Sequence, residues 1–164
     1  MDKRRLFWGF EVDAKWPELP KDGRIVEPGS RHATMLFLGE VDYEVLKPFI
    51  DTYKPDISAT PSGVLDKLLF LPNKKKPRVV SIGGYLNEPA PCLNEIKRVK
   101  KEMELLGFKT EDREWLLHIT VARAPFDLKA WEGLSVRTPF ALTGICLYQS
   151  FQGLIYKKLH AFSL

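Results

Sequence analysis

The fold prediction starts from one stretch with the character of a β-strand, Trp115-Leu116-Leu117-His118-Ile119-Thr120-Val121-Ala122-Arg123. Apolar and β-branched residues dominate it, and Pro125 closes it, as is typical of a strand. Side chains two apart along a strand point to the same face, so His118 and Thr120 are predicted to lie side by side. The alternate residues Leu117, Ile119 and Val121 are predicted to face the core.

A second stretch repeats this pattern, Arg31-His32-Ala33-Thr34-Met35-Leu36-Phe37-Leu38-Gly39. It has His, any residue and Thr, followed by an apolar run that Gly39 ends. His32 and Thr34 are again predicted to share one strand face. Two such strands in one chain predict two similar halves, each presenting one imidazole and one hydroxyl.

Composition and charge set the limits of these predictions. The chain has 164 residues, 45% hydrophobic and 28% charged, which fits a single domain over 1–164. No apolar run is long enough to span a membrane, and Glu11 and Asp13 interrupt the N-terminal region too early for a signal peptide, so a cytoplasmic location is expected. Cys92 and Cys146 have no CxxC spacing and are expected to be reduced. The net charge of +4 is compatible with a phosphate-bearing partner but does not require one.

Hydrophobic periodicity gives the predicted order of elements. Helices are predicted at 42–53, capped by Asp42, at 91–106, and at 127–131. A loop is predicted at 15–23 and a turn at 28–30. Strands are predicted at 5–12, 24–27, 31–39, 56–60, 64–71, 78–85, 115–123, 134–150 and 153–164. This order indicates an α+β fold with antiparallel pairing, built as two pseudo-symmetric lobes whose sheets face a central cleft and whose helices lie outside.

Two histidines on facing strands suit acid–base chemistry at phosphorus. A neutral imidazole can accept a proton from water while a protonated one donates to a leaving oxygen. Displacement at phosphorus is in line, so the base and the acid must lie on opposite sides of the phosphate. Threonine hydroxyls can then hold the non-bridging oxygens. A strained cyclic phosphate is already activated and needs no metal.

Other kinds of site have less support in the sequence. A strand histidine is often part of the packing, and His160 is assigned a structural or surface role. Three scattered histidines give no metal-site spacing, and the phosphate-loop, dinucleotide and serine-hydrolase motifs are absent from the sequence. A thiol nucleophile, Cys92 or Cys146 with His118, has no local activating group.

The two histidine motifs resemble the paired HxTx motifs of the two-histidine phosphoesterase superfamily. Within it the chain looks most like the RNA 2′,3′-cyclic phosphodiesterases, also called 2′-5′ RNA ligases. The opening Arg5-Leu6-Phe7 is similar as well, and so are the segments 107–111, 113–118 and 147–159, the last with Ser150, Gly153 and Tyr156. The resemblance therefore covers most of the chain.

The resemblance implies a two-lobed α+β fold that hydrolyses a terminal 2′,3′-cyclic phosphate to a 2′-phosphate without metal or cofactor. His32 would be the acid and His118 the base, although near-equivalent halves leave these labels exchangeable. The phosphate-binding residues it implies are Thr34, Thr120 and Arg123. Strand alternation places Arg123 on the face opposite His118, so it reaches the cleft only if the strand twists or ends before Pro125. A surface salt bridge is the alternative for Arg123.

Two departures from the family pattern bear on substrate preference. The proline-broken segment 15–23 is short where relatives have a long helix, which would trim the first lobe. Leu117 stands where many relatives carry proline before the second histidine. Neither change removes a catalytic group.

Several other residues are candidates for contact with RNA. The basic loop Lys74–Lys76 could bind the backbone, with a solvated loop as the alternative. Phe37, Tyr148 and Phe151 could stack on a base, but alternation places Phe37 in the core with Ala33 and Met35.

The sequence therefore predicts a monomeric enzyme acting on RNA ends or small cyclic nucleotides, with no membrane partner. Three alternatives stay open. One is a 2′-5′ RNA ligase or a phosphodiesterase of 2′-5′-linked oligonucleotides, another is a non-catalytic module that binds RNA ends, and the third is a structural α+β domain.

Overall fold

Eight strands and three α-helices make up the computed structural model, which describes residues 1–152 and 155–164. The strands are β1 Lys3–Ala14, β2 Arg24–Ile25, β3 His32–Asp42, β4 Ser62–Leu71, β5 Val79–Leu86, β6 His118–Arg123, β7 Thr138–Phe151 and β8 Ile155–Ser163. The helices are α1 Tyr43–Thr52, α2 Ala90–Leu105 and α3 Leu128–Glu132, with a 3-10 helix at Pro28–Ser30.

Six strands form a closed barrel in the order β1-β3-β6-β5-β4-β7, and β7 returns to pair with β1. Strand β2 pairs with β6 and β8 pairs with β7, and every observed pairing is antiparallel. The predicted sheet-rich α+β class with antiparallel pairing is therefore confirmed. The division into two pseudo-symmetric lobes facing a cleft stays a prediction.

The main core lies between one face of the sheet and helices α1 and α2. Trp8 is fully buried there, and its indole Nε1 donates to the sulfur of Met103 on α2 at 3.4 Å. Helix α1 begins where predicted, because the Asp42 side chain accepts a hydrogen bond from the Glu44 amide at 3.0 Å. Both long helices agree with their predicted bounds to within a residue. Periodic burial explains this agreement, since the apolar positions of an amphipathic helix are set locally.

A buried carboxylate joins the end of α1 to α2. Glu95 is only 2% exposed. Its side chain accepts a hydrogen bond from the Tyr53 hydroxyl at 2.6 Å and two from Arg98 at 2.9 and 2.8 Å. Arg98 also donates to the Lys54 carbonyl at 2.8 Å. This ionic cluster fixes the two helices against each other.

Two strand predictions need correction. No strand forms at 56–60, which lies in irregular chain between α1 and β4. The strand predicted at 115–123 begins only at His118, and the preceding Trp115 instead donates from its indole to the Thr34 carbonyl at 2.8 Å. The strand predicted at 153–164 is confirmed over Ile155–Ser163, and Gly153 with its predicted turn lies outside the described residues.

The loop predicted at 15–23 is confirmed as a segment without helix or strand. None of the helices in the described ranges is long and apolar enough to cross a membrane.

Candidate active site

The two His-x-Thr motifs meet where β3 and β6 pair. The contact is a single antiparallel residue pair, Ala33 opposite Ile119, and both side chains are buried in the core. The residues on either side of such a pair point to the opposite face of the sheet. His32, Thr34, His118 and Thr120 therefore share one face, and their strands lie about 5 Å apart. The fold brings the four predicted side chains together.

Both imidazoles are held in the same way by the backbone. The Nδ1 of His32 lies 2.9 Å from the Ser30 carbonyl, and the Nδ1 of His118 lies 2.8 Å from the Leu116 carbonyl. A carbonyl can only accept, so Nδ1 carries the proton in each ring. Each histidine thus bonds the residue two positions before it and keeps Nε2 for chemistry.

His32 lies among three aromatic rings from other strands. Its ring centroid is 4.8 Å from Phe7, 5.0 Å from Tyr148 and 4.9 Å from Tyr156, the last in an edge-on contact. Burial lowers the pKa of His32 to about 4. The hydrogen bond to the Ser30 carbonyl raises this pKa, whereas repulsion from His118 and Arg123 lowers it. His32 is therefore neutral near pH 7 in the free protein.

This lowered pKa predicts a loss of stability in acid. The folded protein holds fewer protons on His32 than the unfolded chain does, so the contribution is full above pH 6.5 and is lost as the pH falls toward 4. Between pH 7 and pH 5 the loss amounts to about 2 kcal/mol. Urea unfolding of the wild type and of His32→Asn at both pH values measures it. The variant should lose less stability by about that amount, and equal pH dependence in the two proteins would contradict this assignment.

Arg123 lies on the same face as the histidines because β6 contains a bulge. Thr120 pairs with Ser81, but the next pair joins Ala122 to Val80, so Val121 is an extra residue. The extra residue reverses the alternation, and the prediction that placed Arg123 opposite His118 was wrong for that reason. The Arg123 Nη2 donates to the Tyr156 hydroxyl at 3.3 Å.

The surroundings of Arg123 also argue against the alternative of a surface salt bridge. It forms no ion pair with a carboxylate in the described part of the chain. Its Nε is buried and has no hydrogen-bond partner among the same residues. Through Tyr156, the guanidinium is placed beside His32.

The hydroxyl of Thr120 has a neighbour that sequence reasoning missed. Ser81 on β5 is fully buried, and its Oγ lies 3.3 Å from the Thr120 Oγ1. Their pairing across β5 and β6 places them on one face. The alternation of Ser81 and Gly83 along β5 was the available signal, but it indicates a site only once the register with β6 is known.

The aromatic candidates separate by exposure. Tyr148 is buried against His32, whereas Phe151 is 46% exposed. Phe37 was predicted to lie in the core with Ala33 and Met35, which was wrong, because it is half-buried and stacks on Phe7 at 6.4 Å. The register shift at Trp8/Gly9 makes Met35 an extra residue of β3, which reverses the alternation between Ala33 and Phe37.

Two archaeal proteins are similar in sequence. The chain is 38% identical over 104 residues to an RNA 2′,3′-cyclic phosphodiesterase of Methanocaldococcus jannaschii, covering 63% of this chain and 56% of that protein. It is 33% identical over 101 residues to an RNA 2′,3′-cyclic phosphodiesterase of Archaeoglobus fulgidus, covering 61% of this chain and 55% of that protein. The match thus spans little more than half the length of these relatives. No family model matches the chain.

Solved structures show the same fold. LigT of E. coli in complex with 3′-AMP has a TM-score of 0.69 at 23% identity and covers 99% of both chains. TT0787 of Thermus thermophilus has a TM-score of 0.70 at 23% identity and covers 98% of this chain and 97% of that one. The chain is therefore similar in sequence to two RNA 2′,3′-cyclic phosphodiesterases over part of their length, and similar in fold to LigT.

The other candidate residues of this chain have different surroundings. The Nε2 of His160 lies 2.6 Å from the Tyr43 hydroxyl. The loop Lys74–Lys76 is exposed, with its Lys75 and Lys76 amides donating to the Asn73 side chain.

The two cysteines lack the surroundings that would activate a thiol nucleophile. Cys92 and Cys146 are free and buried, and burial raises the pKa of both thiols, for Cys92 to about 11. A thiolate is therefore disfavoured at either position. Across the described ranges, no group of three or more His, Cys, Asp or Glu side chains is placed to hold a metal ion.

Proposed function

We propose that this protein hydrolyses the 2′,3′-cyclic phosphate ends of RNA or nucleotides to 2′-phosphates, without a metal or cofactor. The observation that carries the proposal is the common face of His32, Thr34, His118 and Thr120 across one strand pair. The two archaeal relatives are named as RNA 2′,3′-cyclic phosphodiesterases, which supports it over the matched part of their length.

The proposed reaction is one in-line displacement. One imidazole Nε2 removes a proton from water, and the water oxygen forms a bond to phosphorus. The bond from phosphorus to O3′ breaks, and the second imidazole delivers a proton to O3′. The product carries a 2′-phosphate and a free 3′-hydroxyl. Thr34 and Thr120 hydroxyls and the Arg123 guanidinium bind the non-bridging oxygens, where negative charge gathers.

The roles of the two histidines follow from the family resemblance, with His118 as base and His32 as acid. The low pKa of His32 means that it enters the reaction neutral unless the substrate changes its charge state. A bound anionic phosphate favours the protonated imidazole, because a negative charge next to the ring stabilises its positively charged form. The acid role of His32 therefore depends on substrate binding, and the exchanged assignment is the alternative within the same proposal.

Substrate hydrolysis in a chelator tests the proposal. A short RNA with a 2′,3′-cyclic phosphate end and a 2′-5′-linked dinucleotide are each incubated with the protein in excess EDTA. We expect a 2′-phosphate product from the first and much slower cleavage of the second. Faster cleavage of the 2′-5′ linkage would replace the proposed substrate. Binding of the RNA end without turnover, by folded protein, would instead support the binding-module alternative.

A further inference from the structure

A lysine lies in line with His118 across the sheet. Lys67 on β4 pairs with Gly83 on β5, and Gly83 pairs with His118 on β6. Directly paired residues of antiparallel strands present their side chains on the same face. Two residues further along, the same three strands align Leu69 with Ser81 and Ser81 with Thr120. The side chain of Lys67 therefore stands on the face that carries the catalytic histidines.

The missing side chain of Gly83 makes room for the stem of Lys67. A Cβ built on Gly83 would lie 3.2 Å from the Cε of Lys67 and 2.8 Å from the Cδ1 of Leu69. The end of the lysine stem thus lies close to Gly83, the residue of β5 that pairs with His118. Lys67 is exposed and forms no ion pair with any carboxylate in the described ranges. Its positive charge is available to an anionic ligand.

An aromatic side chain continues the same face. Tyr85 lies two residues after Gly83 on β5, so it shares the face of Gly83, and it is 47% exposed. The opposite face of β5 packs into the core, where its residues Val80, Ile82 and Leu86 are buried. Lys67 and Tyr85 together form what is called here the Lys67–Tyr85 surface, which begins beside His118 and runs away from it across β5 and β4.

We infer that the Lys67–Tyr85 surface binds the RNA strand that leads to the cyclic phosphate end. A lysine ammonium pairs with a backbone phosphodiester, and an exposed tyrosine ring provides a stacking platform for a base. Both elements are sequence-tolerant ways of holding a single strand. The inference rests on the proposed function and narrows its substrate to oligonucleotides, whose chain continues from the cyclic phosphate onto this surface.

Equilibrium binding tests the surface independently of catalysis. The probes are a fluorescent RNA pentamer with a 2′-phosphate end, which is the proposed product, and the matching nucleoside 2′-phosphate in competition with it. Lys67→Ala should weaken pentamer binding by about five- to tenfold and lower the salt slope by about one. Tyr85→Ala should weaken it by at least about fivefold. Both variants should bind the mononucleotide within about twofold of wild type.

Two further variants sharpen the interpretation. Lys101→Ala removes an exposed lysine of α2 and should leave pentamer binding unchanged. Gly83→Ala adds the methyl group that meets the Lys67 stem and should reproduce part of the Lys67→Ala effect.

Other results would contradict RNA binding by the Lys67–Tyr85 surface, or would show that the surface binds RNA although the proposed hydrolysis does not occur. Wild-type pentamer binding by both Lys67→Ala and Tyr85→Ala would overturn the inference, and so would equal losses for the pentamer and the mononucleotide. Failure of the wild type to bind the pentamer would also overturn it. If the wild type binds the pentamer through these residues but hydrolyses neither a cyclic-ended oligomer nor a cyclic mononucleotide, the surface stands and the proposed function fails.

Discussion

Replacing His118 with alanine is expected to lower the turnover of cyclic-ended RNA by about 10² to 10⁴-fold. The imidazole is held by its Nδ1 bond to the Leu116 carbonyl, 2.8 Å away, so its Nε2 is the group that can exchange a proton with water or the leaving oxygen. Alanine removes that group and leaves the strand intact, because neighbouring Ile119 supplies the buried face. His32→Ala should cause a loss in the same range, since both protons move in one displacement.

The third histidine provides the matched control for this prediction. His160 lies on β8, where its Nε2 is 2.6 Å from the Tyr43 hydroxyl, and has no part in the proposed reaction. His160→Ala should keep turnover within about threefold of wild type, as expected for removal of a group outside the site. Binding of the 2′-phosphate product should persist in His118→Ala. Wild-type turnover by both His32→Ala and His118→Ala would remove the enzyme assignment for this face.

Arg98→Ala is expected to lower the free energy of unfolding by about 3 kcal/mol. The Glu95 carboxylate is 1% exposed at its side chain and would lose the cation that donates two of its hydrogen bonds. The Tyr53 hydroxyl would remain its donor, since burial and the hydrogen bond to the carboxylate raise the pKa of that tyrosine and keep it protonated. The Arg98 side chain is itself 41% exposed. The expected loss of unfolding free energy is therefore at the lower end of the range for breaking a buried ion pair.

An exposed ion pair in the same protein supplies the control. Arg113 pairs with Glu111, and these side chains are 77% and 55% exposed. Water screens such a pair, so Arg113→Ala should change the free energy of unfolding by less than about 0.5 kcal/mol. Urea unfolding at pH 7 compares the two variants. A loss in Arg98→Ala no larger than in Arg113→Ala would show that the buried cluster does not hold the helices together.

The parts of the molecule that depend on local sequence could be predicted from it. Helix α2 follows apolar residues at steps of three and four, and helix α1 begins at the Asp42 cap, so both were found within a residue. Each His-x-Thr pair shares a face because only three residues of regular strand are involved. The four predicted side chains meet because their strands pair at Ala33 and Ile119.

The errors arise where one strand's alternation depends on its partner. The extra residue Val121 turns Arg123 toward the site, and a register shift in the β1–β3 pair turns Phe37 out of the main core. Val121 is a β-branched residue within an apolar run, so nothing in the local sequence marks it as a bulge. The alignment of Lys67 with His118 through Gly83 could not be predicted from the sequence either. It requires the register of three strands that are separated along the chain.

The strand predicted at 56–60 failed for a related reason. Its apolar and polar residues alternate as in a strand, but a strand also needs a neighbouring strand with free backbone N–H and C=O groups. The next strand, β4, already pairs with β5 and β7 and offers none. The aromatic surroundings of His32 come from β1, β7 and β8, so no local pattern around the histidine could have shown its low pKa.

The central claim is that His32 and His118 act together on one phosphate, and a double-mutant cycle tests it most directly. Turnover of cyclic-ended RNA in EDTA is measured for the wild type, His32→Ala, His118→Ala and the double variant. If one displacement uses both imidazoles, the double variant should be no slower than the slower single variant by more than about tenfold, because either loss already disables the step. Fully multiplicative losses, as from two independent sites, would contradict the account.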